Sequence, residues 1–219
     1  MKMDKITHHL DDRLLMAYAA GTLPEGFNLV VATHISLCDE CRARLGEFEA
    51  VGGQVLEWGD TVALADTSLE QTLARICGDA PAGDDRKTMP QRSSVFPAPL
   101  RDYVGGDADA VHWRAVGGGV RQAILPTSNE ATVRLLHIPA GAAVPDHGHR
   151  GTELTLVLQG AFRDEEDRFA RGDIEIADEE VQHTPVAEAG EDCICLAATD
   201  APLRFRALIP RLAQPFLRI

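Results

Sequence analysis

The feature that most constrains this chain is a change of hydrophobic period across a stretch that cannot itself form a core. From about Gly78 to Pro99 the sequence passes through Pro81, Gly83, Asp84, Asp85, Arg86, Lys87, Pro90, Pro97 and Pro99. So few apolar side chains do not outweigh the entropy of ordering, and the composition reads as a linker. Before it, apolar residues recur every three to four positions; after it, they alternate. A single continuous sheet or bundle does not change period in this way. The reading is α+β in two domains: helices over residues 1–77, a linker over 78–99, and short strands over 100–219.

In the first part, Asp11 and Asp12 place negative charge ahead of Leu14, Leu15, Met16, Tyr18 and Ala19, and Gly21 ends the segment. Pro24 suits the first turn of a second helix carrying Phe27, Val30, Val31, His34 and Leu37. A third helix is expected from near Asp39, burying Leu45, Phe48, Val51 and Leu56, with Gly52-Gly53 weakening its middle. Ser68 and Gln71 form a capping box for a fourth, through Leu69, Leu73 and Ile76. In the last part, strands are expected at Thr132 to Ile138, Glu153 to Leu158, Asp173 to Ile176, Cys193 to Ala197 and Leu203 to Ala207. Gly, Pro and Asp turns separate them, as in a sandwich or small barrel.

Charge narrows the function classes. Against 21 basic side chains stand 34 acidic ones, a formal net charge of −13. Direct nucleic-acid binding draws on Lys and Arg neutralising phosphates, so it is not expected here. An acidic surface suits a basic partner, and it also serves plain solubility. The longest apolar runs, such as Leu154 to Leu158, fall far short of the roughly 20 residues that span a bilayer. The opening Lys2, Asp4, Lys5, His8 and His9 hold no apolar signal region, and the expected location is the cytoplasm. In that reducing setting close cysteine pairs are metal or redox sites rather than structural disulfides.

One such pair belongs to a run His34-x-x-x-Cys38-x-x-Cys41. Positions i and i+4 share a helix face, so His34 and Cys38 point the same way, with Cys41 a turn onward. Zinc in a closed structural site takes four ligands, and His8 or His9 is the natural fourth. Two thiolates and two neutral imidazoles cancel the ion's charge, which lowers the cost of burying it. A thioredoxin-like redox pair would need a βαβ setting, which is absent.

The run Leu14-Leu15-Met16-Ala17-Tyr18-Ala19-Ala20-Gly21-Thr22-Leu23, with Val30 to His34 and Cys38-Asp39-Glu40-Cys41-Arg42, resembles the zinc-binding anti-sigma domain. That resemblance implies Zn2+ held by His34, Cys38, Cys41 and an upstream histidine, which by the family pattern is His9. It also implies a sigma factor of the extracytoplasmic-function type as partner.

A second set of ligand types lies at His147, His149 and Glu153, with His183 further on. His147 and His149 project from one face of a strand. Glu153 returns a carboxylate after a tight turn, and three imidazoles with one carboxylate suit zinc, iron, manganese or nickel. The stretch from Gly141 to Gly160 resembles the cupin signature G-x5-H-x-H-x3-E-x6-G at every position. The later cupin motif is looser, with Ala170 where Pro is frequent and Ala187 where Asn is frequent. The implied fold is an antiparallel, jelly-roll-like cupin β-barrel binding Zn2+ or another divalent transition metal.

Together the two motif sets resemble the ChrR-type anti-sigma factors. That implies inhibition of a stress-response sigma factor, in several members one answering singlet oxygen, with the cupin domain needed for signal response. The competing reading is a metal-dependent cupin enzyme, dioxygenase-like, with a regulatory helical attachment, although no general base stands out. Cys193 and Cys195 share a strand face and read as core residues, Cys77 as an ordinary thiol, His112 and His137 as structural, and Trp58 and Trp113 as packing residues.

Overall fold

The computed structural model describes residues 5–78, 94–205, 207 and 214. Most of the expected linker, residues 79–93, lies outside the described residues. The helices are α1 (Asp12–Ala19), α2 (Glu25–Leu37), α3 (Asp39–Glu57), α4 (Ser68–Cys77) and α5 (Ala98–Val104). Asp11 caps α1, its carboxylate accepting from the Leu14 N–H at 2.7 Å. Gly21, at φ +67°, turns the chain out of that helix. Gln71 reaches back to the Thr67 hydroxyl at 3.1 Å, so the cap of α4 sits one residue earlier than the Ser68 capping box expected.

Among the described residues twelve short strands follow, paired into three sheets. The large sheet contains β1 (Arg114–Gly117), β2 (Val120–Leu125), β3 (Thr132–Ile138), β5 (Glu153–Gln159), β8 (Ile174–Ala177) and β11 (Cys193–Thr199), in the order β1-β2-β3-β11-β5-β8. A second sheet joins β6 (Ala161–Arg163), β7 (Arg168–Ala170) and β10 (Val186–Ala187). The third joins β4 (His147–Gly148), β9 (Gln182–His183) and β12 (Arg204–Phe205). Every pairing is antiparallel, as expected of a cupin barrel.

The alternation of strand side chains explains how the two parts meet. On β3, β5 and β11, one set of residues (Val133, Leu135, Leu154, Leu156, Leu158, Leu196) faces outward into a core shared with α1, α2 and α5. The other set (Leu136, Ile138, Val157, Cys193, Cys195) faces the barrel interior with Val120 and Phe162. Both faces of the sheet are therefore covered, which is why Leu154 to Leu158 is apolar but for Thr155. Helix α2 comes so close that a Cβ on Gly26 would stand 2.7 Å from a methyl of Val133. Phe96, within the expected linker, is buried, and the Asp107 carboxylate accepts from the backbone N–H groups of Val95, Phe96 and Ala108 at 2.9–3.1 Å.

One packing expectation is corrected. Leu45 is buried and Phe48 half-buried, but Val51 (63 %), Leu56 (82 %) and Trp58 (77 %) are exposed. The second half of α3 runs beyond the body that its first half packs on, so its apolar side chains have no cover among the described residues.

Candidate functional site: two metal-ligand clusters and the contact between them

The N-terminal cluster is assembled from three elements. His9 lies in the extended segment before α1, His34 in the last turn of α2, and Cys38 and Cys41 at the junction of α2 with α3. One ligand atom from each of the four lies within 4.8 Å of the others. His9 Nδ1 is 3.2 Å from Cys38 Sγ and 3.7 Å from Cys41 Sγ. Around a tetrahedral zinc with bonds of about 2.0 Å to nitrogen and 2.3 Å to sulfur, that separation is about 3.5 Å, so the donors present fit the ion. Both ring nitrogens of His34 are buried without a partner at hydrogen-bonding geometry. Burial pushes the His34 pKa down to about 4, against a weaker opposing influence of the Gly172 backbone. Burial likewise raises the Cys41 thiol to about 11. Two buried thiols and a buried imidazole off hydrogen-bonding geometry are donors that a metal ion would satisfy.

His8 goes elsewhere. Consecutive residues of an extended segment point opposite ways, and His8 faces the cupin domain. Its ring lies 4.4 Å from that of Phe169, its Nε2 is 3.1 Å from Asp167 Oδ2, and its backbone N–H donates to Asp173 Oδ1 at 3.0 Å. Tertiary structure thus separates two histidines that the sequence leaves equivalent.

In the barrel, His147 and His183 are register partners on β4 and β9, and His149 follows two residues after His147. His183 Nε2 is 3.3 Å from Nε2 of both His147 and His149. Nitrogens about 2.0 Å from one tetrahedral ion stand about 3.3 Å apart, so these three also fit a common metal. Glu153 is not drawn into that tight grouping. Its Oε2 is 3.7 Å from His149 Nδ1 and its Oε1 accepts from the Thr155 hydroxyl at 3.1 Å. Burial lowers the pKa of His147, and lowers that of His149 to about 4.

The outer nitrogens of the imidazoles are oriented. His147 Nδ1 donates to the Pro145 carbonyl at 2.9 Å, leaving Nε2 for the ion. His183 Nδ1 faces two buried carboxylates, Glu175 at 2.9 Å and Asp164 at 3.0 Å. Burial opposes its protonation, but the two carboxylates outweigh that and lift His183 to about 9. Burial raises the Glu175 carboxyl, partly offset by His183. Sequence reasoning missed both acids. The available signals were a charged residue between Ile174 and Ile176, and an Asp opening the turn after β6. Cys193 and Cys195 are buried with sulfurs 3.5 Å apart, and the neighbouring thiol with burial raises Cys195 well above the ordinary thiol range.

The turn joining β6 to β7 connects the two clusters. Its first residue, Asp164, holds His183, and its last, Asp167, holds His8, which adjoins His9. Asp164 Oδ1 accepts from the N–H groups of Glu166 and Asp167 at 2.9 and 3.0 Å, and the Asp164 N–H donates to the Asp167 carbonyl at 3.1 Å. These bonds brace the turn as one unit.

Fold and sites define a class: a helical domain with a His/Cys metal-ligand cluster, carried on the outer face of a cupin barrel with a three-histidine cluster of its own. Residues 102–202 match the family model described as the ChrR cupin-like domain. The anti-sigma-E factor ChrR of Cereibacter sphaeroides is 64% identical over 218 residues, covering 98% of this chain and 99% of that protein. The chain belongs to the ChrR family of anti-sigma factors. Among solved structures, the crystal structure of Rhodobacter sphaeroides SigE in complex with the anti-sigma ChrR is 63% identical. That match covers 90% of this chain and 100% of that one, with a TM-score of 0.77. KdgF from Halomonas sp. is 22% identical over 43% of this chain and 90% of that one, with a TM-score of 0.39, and nothing about activity follows from it.

Proposed function

We propose that this chain is an anti-sigma factor whose helical domain binds and inhibits an alternative sigma factor of the extracytoplasmic-function type, in the cytoplasm and without touching nucleic acid itself. The observation that carries this is the uncovered apolar surface running from the end of α3 through the segment after it to α4. Leu56, Trp58, Val62, Leu64, Leu69 and Ile76 are each exposed by two-thirds or more, and α4 buries none of its residues. An amphipathic helix is stabilised chiefly by packing its apolar face, so this face calls for a partner. The relatives named above are an anti-sigma factor and a complex of one with its sigma factor, and the acidic surface suits a basic partner. Among the described residues no helix is long and apolar enough to cross a membrane.

In this reading Zn2+ at His9, His34, Cys38 and Cys41 ties α1, α2 and α3 into the docking geometry. The second ion, zinc or another divalent transition metal, is held by His147, His149 and His183, with Glu153 as the fourth ligand. The helical unit is residues 1–77 and the cupin unit residues 100–219. The cupin responds to the inducing stress, with singlet oxygen as the family's signal. The braced turn from Asp164 to Asp167 passes a change at His183 to His8 and so to the zinc domain, provided the two states differ in those contacts.

The test is co-expression of the full chain with a candidate sigma factor of the extracytoplasmic-function type, followed by pull-down and metal quantification. Wild type is expected to co-purify with zinc. Leu69→Asp with Leu73→Asp is expected to lose the sigma factor at unchanged zinc content, by about 30-fold or more if each removes an anchor of about 2 kcal/mol. Unaltered capture by that double variant would remove the docking surface from the account, and failure of wild type to capture the sigma factor would remove the function.

A further inference from the structure

The turn that joins β7 to β8, Arg171-Gly172-Asp173, belongs to the cupin but meets the segment that carries the zinc ligand His9. It is fixed from the barrel side. The Gly172 N–H donates to the Val157 carbonyl at 2.8 Å, the Val157 N–H to the Asp173 carbonyl at 3.1 Å, and the Asp173 N–H to the Ala170 carbonyl at 2.8 Å. Asp173 is buried, and its two carboxylate oxygens serve different parts of the molecule. Oδ2 accepts from the Ala170 N–H at 2.8 Å, within the cupin. Oδ1 accepts from the backbone N–H groups of Thr7 and His8, at 2.7 and 3.0 Å. The Ile174 N–H donates to the His8 carbonyl at 3.4 Å, so the segment lies against β8, the last strand of the large sheet.

Gly172 completes the contact. Its φ of +93° and the space beside it both call for glycine, since a Cβ would stand 2.6 Å from Ile6 Cδ1 and 2.7 Å from Ile6 Cγ1. Three consecutive residues, Ile6, Thr7 and His8, are thus gripped by the cupin immediately ahead of His9.

His34 is under the influence of the same turn. It is fully buried, and neither ring nitrogen has a partner at hydrogen-bonding geometry. Burial disfavours its charge, and the influences acting the other way are the Gly172 backbone and the Asp173 carboxylate. A backbone group that favours the protonated ring is an acceptor, hence the Gly172 carbonyl. His9 differs, because its Nε2 has Glu40 of α3 at 3.4 Å. A histidine that binds a metal through one nitrogen presents the other N–H to an acceptor, and losing that acceptor weakens the ion about 10–100-fold.

We propose that the Arg171–Asp173 turn of the cupin is an outer shell of the N-terminal zinc cluster, positioning His9 through Ile6, Thr7 and His8, and His34 through Gly172. Gly172 and Asp173 are positioning residues that touch no ion. A ligand segment ordered in advance binds the ion without a further loss of entropy, and by linkage ion and docking strengthen each other by the same factor. The inference rests on the reading that His9, His34, Cys38 and Cys41 hold zinc, and it does not depend on sigma-factor binding.

The full chain is loaded with Co2+ and titrated with a competing chelator. Thiolate-to-cobalt charge-transfer absorption reports the N-terminal cluster alone, since the cupin cluster has only imidazoles and a carboxylate to offer. Cobalt retained without that absorption reports the cupin. Gly172→Ala is expected to weaken the N-terminal ion about tenfold or more and the cupin ion by less than about threefold. Ile6→Ala removes the two atoms that the new Cβ would strike. Combined with Gly172→Ala, it is expected to restore at least about threefold of the lost affinity, a coupling that general destabilisation would not produce. Thr7→Pro deletes the N–H nearest Asp173, outside every helix and strand, and is expected to weaken the N-terminal ion about tenfold. Circular dichroism checks folding, and if Gly172→Ala does not fold, Thr7→Pro decides. Unchanged N-terminal affinity in either folded variant, equal loss at both clusters, or a double variant no tighter than Gly172→Ala would overturn the proposal. A wild type without the thiolate absorption would instead remove the zinc reading beneath it.

Discussion

Replacing Gly26 tests whether the helical and cupin parts are one body. A Cβ there would lie 2.7 Å from Val133 Cγ2 and 3.1 Å from Ala131 Cβ, both on the cupin side. The first distance is below any relaxed carbon contact, and Val133 is fully buried, so α2 must shift off the sheet or the strand must move. Overpacking of this kind costs about 1–3 kcal/mol. Gly46, on α3, has nothing within 4 Å of the same added atom. There the change to Ala only removes the glycine penalty of a helix interior, a gain of about 1 kcal/mol. The same substitution should therefore change stability in opposite directions at two helical positions. For a chain of this size 1 kcal/mol moves Tm by about 2–4 °C, so Gly26→Ala should melt about 2–12 °C lower and Gly46→Ala about 2–4 °C higher. Differential scanning calorimetry of the zinc-loaded chain measures both. A Gly26→Ala protein melting at or above wild type would refute the close packing of α2 on the cupin sheet, and with it the shared core.

Other expectations follow from the same contacts. Cys38→Ala should lower bound zinc by one equivalent and abolish capture of the sigma factor; capture by a zinc-depleted variant would show that the ion is not needed for docking. Asp167→Ala removes one exposed partner of His8, a surface pair whose loss leaves the fold intact. It should leave inhibition intact and blunt release of the sigma factor under oxidant, read with a sigma-dependent reporter, and undiminished release would break the proposed connection. Asp107→Ala should cost about 2 kcal/mol in urea denaturation, since three backbone N–H groups lose their acceptor. Burial pushes the Asp107 carboxyl up, but those bonds prevail and hold its pKa below the ordinary 3.8. Its contribution is thus present above 3.8 and lost as pH falls through the lower folded value, so the gap between wild type and variant should narrow only under more acid conditions. A gap that closes already between pH 7 and 5 would contradict this.

Much of the site was legible because its chemistry is local. His34, Cys38 and Cys41 follow one another at steps of four and three residues, about a helical turn each, and His147 and His149 are alternate positions of an extended segment, so period alone brings each set together. Strand positions were equally readable, since short runs of β-forming residues such as β3 and β5 between Gly, Pro and Asp turns need no knowledge of partners. The burial of α3 was not, because its apolar face stays the same whether the cover is this chain or another, and Val51, Leu56 and Trp58 proved uncovered. Asp164 and Glu175 were missed because a carboxylate is recognised as a histidine's partner only once β6, β8 and β9 converge on it.

The sequence by itself determined the two periods, the ligand spacings and the excess of acid, since each depends on residues near one another in the chain or on their sum. Tertiary structure alone decided that His9 joins the cluster and His8 the cupin. It also made the outer face of the barrel the floor of the helical domain. Those outcomes rest on contacts far apart in the chain, from the 29 positions between His9 and Cys38 to the 159 between His8 and Asp167, where register and packing, rather than local periodicity, select which atoms meet.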